Sequence, residues 1–273
     1  MSSYIRRART VGLLLALAGH SLGAQADSAR RKPFFTWRDA AIVEAFAIAA
    51  VALAPLDTRI ANRLQNPNVQ ENREMRSAAR FVETVTDPGS FLIGSGMYVY
   101  GRLARNRRAA DLGLHGTEAL FIGAQLGALL KGVVGRARPY MDVNDPHNYE
   151  AFRGFGGGGD FRSMPSGHTI AAFAAASAVT SETKIWWPKS VWVIGPIMYG
   201  GAAAVGWSRM FDNQHWASDV ITGAAIGTFT GLKVVHFHHA TKPNNWFDRV
   251  FLGTSATRSA DGGALLRVHF RTR

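Results

Sequence analysis

Apolar residues fall in blocks along this chain rather than in alternation. Asp39 to Leu53 is apolar and alanine-rich and stops before Pro55, which predicts a first helix with Asp39 as its N-cap. Leu56 to Asp87 is mixed and charged. Within it, Asn72 to Val85 carries apolar residues at helical spacing, and Asp87-Pro88-Gly89 ends the run. Phe91–Leu103, Leu112–Val134, His168–Val179, Val191–Trp207 and Ala217–Val235 are further apolar blocks read as helices. No strand-like alternation of any length precedes residue 247, so the predicted class is all-α, a bundle of about six helices. In the tail, Asp248–Ser255 and Leu265–Phe270 flank Ala260-Asp-Gly-Gly263. A short β-hairpin and a disordered tail are both open readings there.

Most of these blocks fall short of the ~20 residues that span a bilayer. Small residues recur every fourth position at Gly123/Gly127 and at Gly223/Gly227/Gly231, a smooth helix face for close packing in a membrane or a soluble bundle. At the N-terminus, Arg6, Arg7 and Arg9 precede a short apolar run, Val11–Ala18, and Ala24-Gln25-Ala26 has the form of a cleavage site. The segments expected are therefore a signal peptide or N-terminal anchor (1–26), N-terminal helices and a connecting segment (27–89), a helical bundle (90–240) and a tail (241–273).

Composition narrows the function. Of 273 residues, 47% are hydrophobic and 18% charged, and mean hydropathy is −0.03, which leaves a membrane bundle and a Gly/Ala-rich soluble one open. The formal charge of +12 suits anionic partners. No basic helix with interleaved aromatics occurs, which argues against nucleic acid and for lipid headgroups or phosphorylated substrates. The absence of cysteine excludes disulfides, thiolate catalysis and Cys-ligated zinc.

Three polar clusters interrupt the apolar background. Lys131-Gly-Val-Val-Gly-Arg-Ala-Arg138-Pro139 closes one block. A lone lysine there could simply snorkel to a wet surface. Pro165-Ser166-Gly167-His168 opens the next, where Ser166 can cap the helix and Gly167 lets an anion approach its free N–H groups. A plain cap with an incidental histidine is the competing reading. In Ser208-Arg209 … His215 … Asp219, the last two residues are i and i+4, so on a helix they share a face and the carboxylate can fix the imidazole tautomer. Together Lys131, Arg138 and Arg209 bring three cations to one place, which a shared phosphate would reconcile. Two histidines can then divide attack from proton donation. The run Gly156–Gly159 lies in the loop between the first two clusters and reads as a loop beside a site or as plain solvent loop.

K-x6-RP, PSGH and SR-x5-H-x3-D, in this order, resemble the signature of the type 2 phosphatidic acid phosphatase and vanadium haloperoxidase superfamily over about residues 90–235. The resemblance implies a helical bundle with the site at one end. His215 would form a phosphohistidine oriented by Asp219, and His168 would protonate the leaving group and later activate water. Lys131, Arg138, Ser166, Gly167 and Arg209 would hold the phosphoryl oxygens. It implies no metal or other cofactor, with vanadate binding as a phosphate mimic. The expectation is a phosphatase acting on a phosphate monoester or diphosphate, a lipid phosphate foremost. A soluble periplasmic acid phosphatase, a vanadate-dependent haloperoxidase and a non-catalytic envelope protein with an anion pocket are the alternatives. Halide oxidation only with vanadate, or vanadate binding without turnover, would single out the last two. The expected location is a bacterial-type envelope, membrane-associated, with the site facing outward and Arg102–Arg108 on the cytoplasmic side.

Overall fold

The structure is a computed structural model that describes residues 33–243, 245–252, 254–258 and 264–268. The expected signal or anchor lies outside the described residues. Helix α1 is Trp37–Leu53 and passes through a 3₁₀ turn at Ala54–Leu56 into α2, Asp57–Leu64. There follow α3 (Pro67–Gln70), α4 (Arg73–Thr86), α5 (Gly89–Leu103), α6 (Arg107–Val134), α7 (Gly167–Trp186), α8 (Val191–Phe211) and α9 (Ala217–His236). A π turn at Phe237–Thr241 extends α9, and α10 is Trp246–Phe251. Strands β1 (Thr254–Arg258) and β2 (Ala264–Val268) pair antiparallel.

The class is all-α, as read, with three local corrections. Asp39 is not the N-cap of α1: Thr36 is, and Asp39 sits at N3, accepting from the Thr36 backbone N–H at 2.6 Å. In the tail, the hairpin does form, but Trp246–Phe251 coils into α10 first, capped by Asn245, so the first strand starts only at Thr254. The helices are also longer than their apolar blocks. α6 begins five residues early because the Asn106 side chain accepts from Ala109 N–H, and α7 runs on through Thr-Ser-Glu-Thr-Lys to Trp186. Hydropathy lost sight of polar helix ends that capping and packing keep helical.

Among the described residues, four helical stretches are long and apolar enough to cross a membrane: Trp37–Leu64, Arg107–Val134, Val191–Phe211 and Ala217–Thr241. Large apolar side chains such as Ile48, Val51, Leu92, Leu129, Trp192 and Ile197 point out of the bundle, which suits a lipid surround.

The α7–α9 contact positions the site. A Cβ on Gly223, Gly227 or Gly231 would lie 2.6, 2.3 or 2.5 Å from the backbone oxygens of Ser166, Ile170 and Ala174. Only glycine permits this backbone approach, and it sets the starts of α7 and α9 side by side. α6 ends at Gly135, which adopts a left-handed conformation (φ 55°). Pro139 is therefore not the stop. The chain leaves α6 four residues earlier, and Arg138 stands in the following loop. At the end of α8, the carbonyl of Phe211 accepts from Gln65 and Gln70 at 3.0 and 2.9 Å, so the α2–α3 segment caps this helix.

Candidate active site

The end of α6, the start of α7, the end of α8, the turn before α9 and the α4–α5 junction converge on one cavity of about 490 Å³. Lys131, Arg138, Gly167, His168, Arg209 and His215 line it, joined by Arg162 and Gln214. Ser166 and Asp219 do not line it. Ser166 is fully buried behind the cavity, where its hydroxyl accepts from Thr169 at 2.8 Å and its N–H donates to the Asp219 carbonyl at 3.1 Å.

The cations are held from outside the cavity. Lys131 Nζ donates to the Arg162 carbonyl at 2.6 Å. Arg138 Nε donates to the Gly159 carbonyl at 2.8 Å, and its Nη1 to Gln214 Oε1 at 2.6 Å. The glycine run thus ends in direct contact with the site. Arg209 pairs with Glu83 of α4 at 2.5 Å and with Asp212 at 3.4 Å, while its Nε is buried without a hydrogen bond. Four guanidinium or ammonium groups around one cavity form an electropositive pocket that suits a phosphoryl group.

His215 is buried in the turn before α9 rather than on the helix. Its Nδ1 lies 3.8 Å from Asp219 Oδ2 and makes no hydrogen bond. The carboxylate is engaged elsewhere: Oδ2 accepts from Ser163 Oγ at 2.5 Å and from Trp216 N–H at 2.9 Å, and Oδ1 from Arg136 at 2.6 Å. The expected His–Asp pair is therefore juxtaposed, with room to close by about 1 Å when the imidazole gains charge. Burial foremost, opposed by Asp219 and reinforced by Lys131 and Arg138, pushes the His215 imidazole down to about 3. It stays neutral and nucleophilic near neutral pH. His168 Nε2 stands 4.0 Å from both Glu83 and Asp87. Burial first, then Arg209, holds it below its ordinary value against these two carboxylates.

Sequence reading missed the support beneath Asp219. Arg136 is fully buried and bridges Asp219 (2.6 Å), Asp57 (2.8 Å) and the Pro146 carbonyl (2.7 Å). Asp57 in turn accepts from Ser218 N–H at 2.9 Å. The Arg136 plane also lies over Trp216, 5.3 Å from the ring centre. An Asp–Arg–Asp chain thus ties α2, the loop after α6 and the start of α9 together.

The depressed His215 carries a stability consequence. The unfolded chain protonates this histidine below about 6.5 while the fold keeps it neutral to about 3. Its contribution is thus complete above the unfolded value and is lost as pH falls through that window, at up to about 1.4 kcal/mol per pH unit. Thermal midpoints of the wild type should fall from pH 7 to pH 5, and His215→Gln should flatten part of that fall. An unchanged slope in the variant would remove His215 as its source.

The family model of the PAP2 superfamily matches residues 114–243, a stretch holding all four cations and both histidines of the cavity. That stretch, just under half of the chain, is similar to the PAP2 superfamily. The chain is 45% identical over 71 residues to lipid A 1-phosphatase of Porphyromonas gingivalis, covering 25% of this chain and 15% of that protein. It is 31% identical over 123 residues to undecaprenyl-diphosphatase of Sulfolobus acidocaldarius, covering 45% of this chain and 53% of the relative. Lipid A 1-phosphatase of Rhizobium etli matches at 35% over 118 residues, 42% of this chain and 45% of the relative. The chain thus spans about half or less of the length of these relatives. The fold is similar to that of a transmembrane PAP2 type phosphatidylglycerolphosphate phosphatase from Bacillus subtilis, with a TM-score of 0.55 and 22% identity, over 77% of this chain and all of that one.

Proposed function

We propose that this protein is a membrane phosphatase that releases phosphate from a lipid phosphate monoester or diphosphate. One observation carries the reading: the cationic cavity with its two histidines meets a second, apolar cavity at Thr86. That second cavity, about 320 Å³, lies among α4, α5, α6, α7 and α8, with Phe81, Val85, Ile93, Met97 and Leu120 on its walls. A phosphate headgroup fits the first and an acyl or prenyl chain the second. The named activities of the relatives, on lipid A and on undecaprenyl diphosphate, are of this class.

In the proposed reaction, neutral His215 attacks phosphorus and the bond from phosphorus to the leaving oxygen breaks. His168 donates a proton to that oxygen, and water activated by His168 then cleaves the phosphohistidine. Phosphate charge offsets Arg209 and so favours the protonated His168 that this step requires. The growing charge on His215 draws Asp219 closer. Lys131, Arg138, Arg162 and Arg209, with the Gly167 N–H at the helix start, stabilise the equatorial oxygens. The machinery needs no metal in the cavity, and vanadate is expected to occupy it as a phosphate mimic.

We infer the orientation from the two ends of α6. The basic turn Arg102–Arg108 flanks one end of this 28-residue helix and Lys131 the other. The positive-inside tendency supports a cytoplasmic basic turn and, on this proposal, a catalytic cavity on the outer face.

The test is phosphate release from a panel of lipid and soluble esters in detergent, with Gly201→Leu as a second enzyme. Gly201 lines the apolar cavity and has open space where a Cβ would stand. The leucine should fill the cavity and raise KM for the lipid substrate about tenfold, leaving a short soluble ester unaffected. Equal effects on both substrates would detach the apolar cavity from substrate binding. No release from any ester would overturn the phosphatase reading.

A further inference from the structure

A second polar cluster lies far from the catalytic cavity, within the opposite half of the bundle. Its first member, His115, is sixteen residues before Lys131 on α6, roughly 24 Å along the helix axis. α6 supplies His115 and Glu118, α7 supplies Glu182, the π turn supplies His238 and His239, and α10 supplies Asp248. His115, Glu182, His238 and Asp248 are all buried in an otherwise apolar bundle.

The ring nitrogens are arranged in a particular way. His115 Nδ1 bonds Glu182 Oε1 at 2.6 Å, and His238 Nε2 bonds Glu118 Oε2 at 2.7 Å. Each imidazole is thus held on one side by a carboxylate, which orients the ring and raises the basicity of the other nitrogen. Those other nitrogens converge. His238 Nδ1 is 2.5 Å and His115 Nε2 3.8 Å from the same oxygen, Asp248 Oδ1. The three donor atoms lie within 4.8 Å of one another. His115 Nε2 is buried and makes no hydrogen bond, a costly state for a polar atom with nothing to bind. The two rings stack at 4.1 Å, so the two nitrogens lie side by side at the Asp248 carboxylate. The helix widens into a π turn where it delivers His238 and His239, a distortion common at functional sites.

We propose that His115 Nε2, His238 Nδ1 and Asp248 Oδ1 form a binding site for a divalent transition metal ion of the zinc class, with Glu182 and Glu118 as the outer carboxylates that orient the two imidazoles. Two imidazole nitrogens and one carboxylate oxygen are a donor set that Zn²⁺ takes, with bonds of about 2.0–2.2 Å. Tetrahedral bonds of that length separate neighbouring donors by roughly 3.3–3.5 Å, between the 2.5 and 3.8 Å present. Shifts of about an ångström, with one imidazole turning out of the stack so that both lone pairs meet, would reach that geometry. The ion would tie α10 and the π turn to α6, a structural clasp separate from phosphate chemistry.

The test uses the full chain purified in detergent, stripped with EDTA and titrated with zinc sulfate. Elemental analysis after desalting should give one zinc per chain, and the thermal midpoint should rise by several degrees on loading. Zinc uptake should release protons at fixed pH. His115→Ala and Asp248→Ala should each lower retained zinc at least tenfold, while the EDTA-stripped wild type should still release phosphate. The wild-type stoichiometry is informative even if a variant folds poorly. Wild type that keeps no zinc after desalting, or zinc retained equally by both variants, would overturn the site. Neither result bears on the phosphatase reading, which rests on the other cavity.

Discussion

Replacing His215 by alanine should reduce phosphate release by about 10⁴-fold or more, the scale on which loss of a nucleophile is felt. The reason is positional. His215 is the buried, neutral imidazole among Lys131, Arg138 and Arg209, with a carboxylate 3.8 Å from its Nδ1. Those cations survive the substitution, so vanadate and phosphate should still bind within about tenfold of wild type. The decisive measurement pairs initial rates on a lipid phosphate with vanadate binding by calorimetry. Unchanged turnover would transfer the attack to another group. Lost binding together with lost turnover would mean that the cavity had collapsed, and His215→Asn would then be the variant to measure. His168→Asn should be milder, about 10²–10⁴-fold, because a general acid accelerates departure without forming the covalent bond.

The largest effect on stability is expected at Arg136. Its guanidinium neutralises Asp57 and Asp219, all three being fully buried. Arg136→Met leaves two buried carboxylates facing one another without their cation, which should cost about 3–5 kcal/mol. Protonating one of them would relieve part of that cost, so the variant should recover stability as pH falls, opposite in sign to the His215 contribution. Chemical denaturation at pH 7 and pH 5 checks both statements. Arg136→Met with Asp57→Asn should regain part of the loss, since one negative charge is then gone. A single variant as stable as wild type would show that the chain of charges contributes nothing.

The sequence made the catalytic shell legible because its members are charged or glycine residues set in apolar blocks. Lys131, Arg138, His168, Arg209 and His215 could be read in that way. Arg136 could not, because it sits among the spacer positions of its own motif and looks like one more surface arginine. Its partner Asp57 belongs to a segment that read only as mixed and charged. Glu83, which holds Arg209 across about 125 intervening residues, carries no local signal at all. Ser166 illustrates the reverse: it occupies the N-cap position, yet its hydroxyl accepts from Thr169 behind the cavity. Helix lengths were underread at polar ends, where Asn106 capping and α7–α9 packing decide. The His115–His238–Asp248 cluster was invisible for a similar reason. His115 stands more than a hundred positions before His238 and Asp248, and the fold alone brings α6 against the π turn and α10.

The glycine stripe on α9 has a wider consequence for how this site can change. Because the α7–α9 contact runs backbone to backbone, the separation of His168 and His215 is set without help from the residues that line the apolar cavity. The proposed reactive jaw and the proposed wall for the lipid tail are thus mechanically uncoupled. Substitutions along Phe81, Val85, Ile93 and Met97 can remodel the wall while the jaw keeps its gauge. One scaffold can therefore drift from one lipid to another through ordinary apolar exchanges, whereas a single methyl group at Gly227 would force the jaw itself apart.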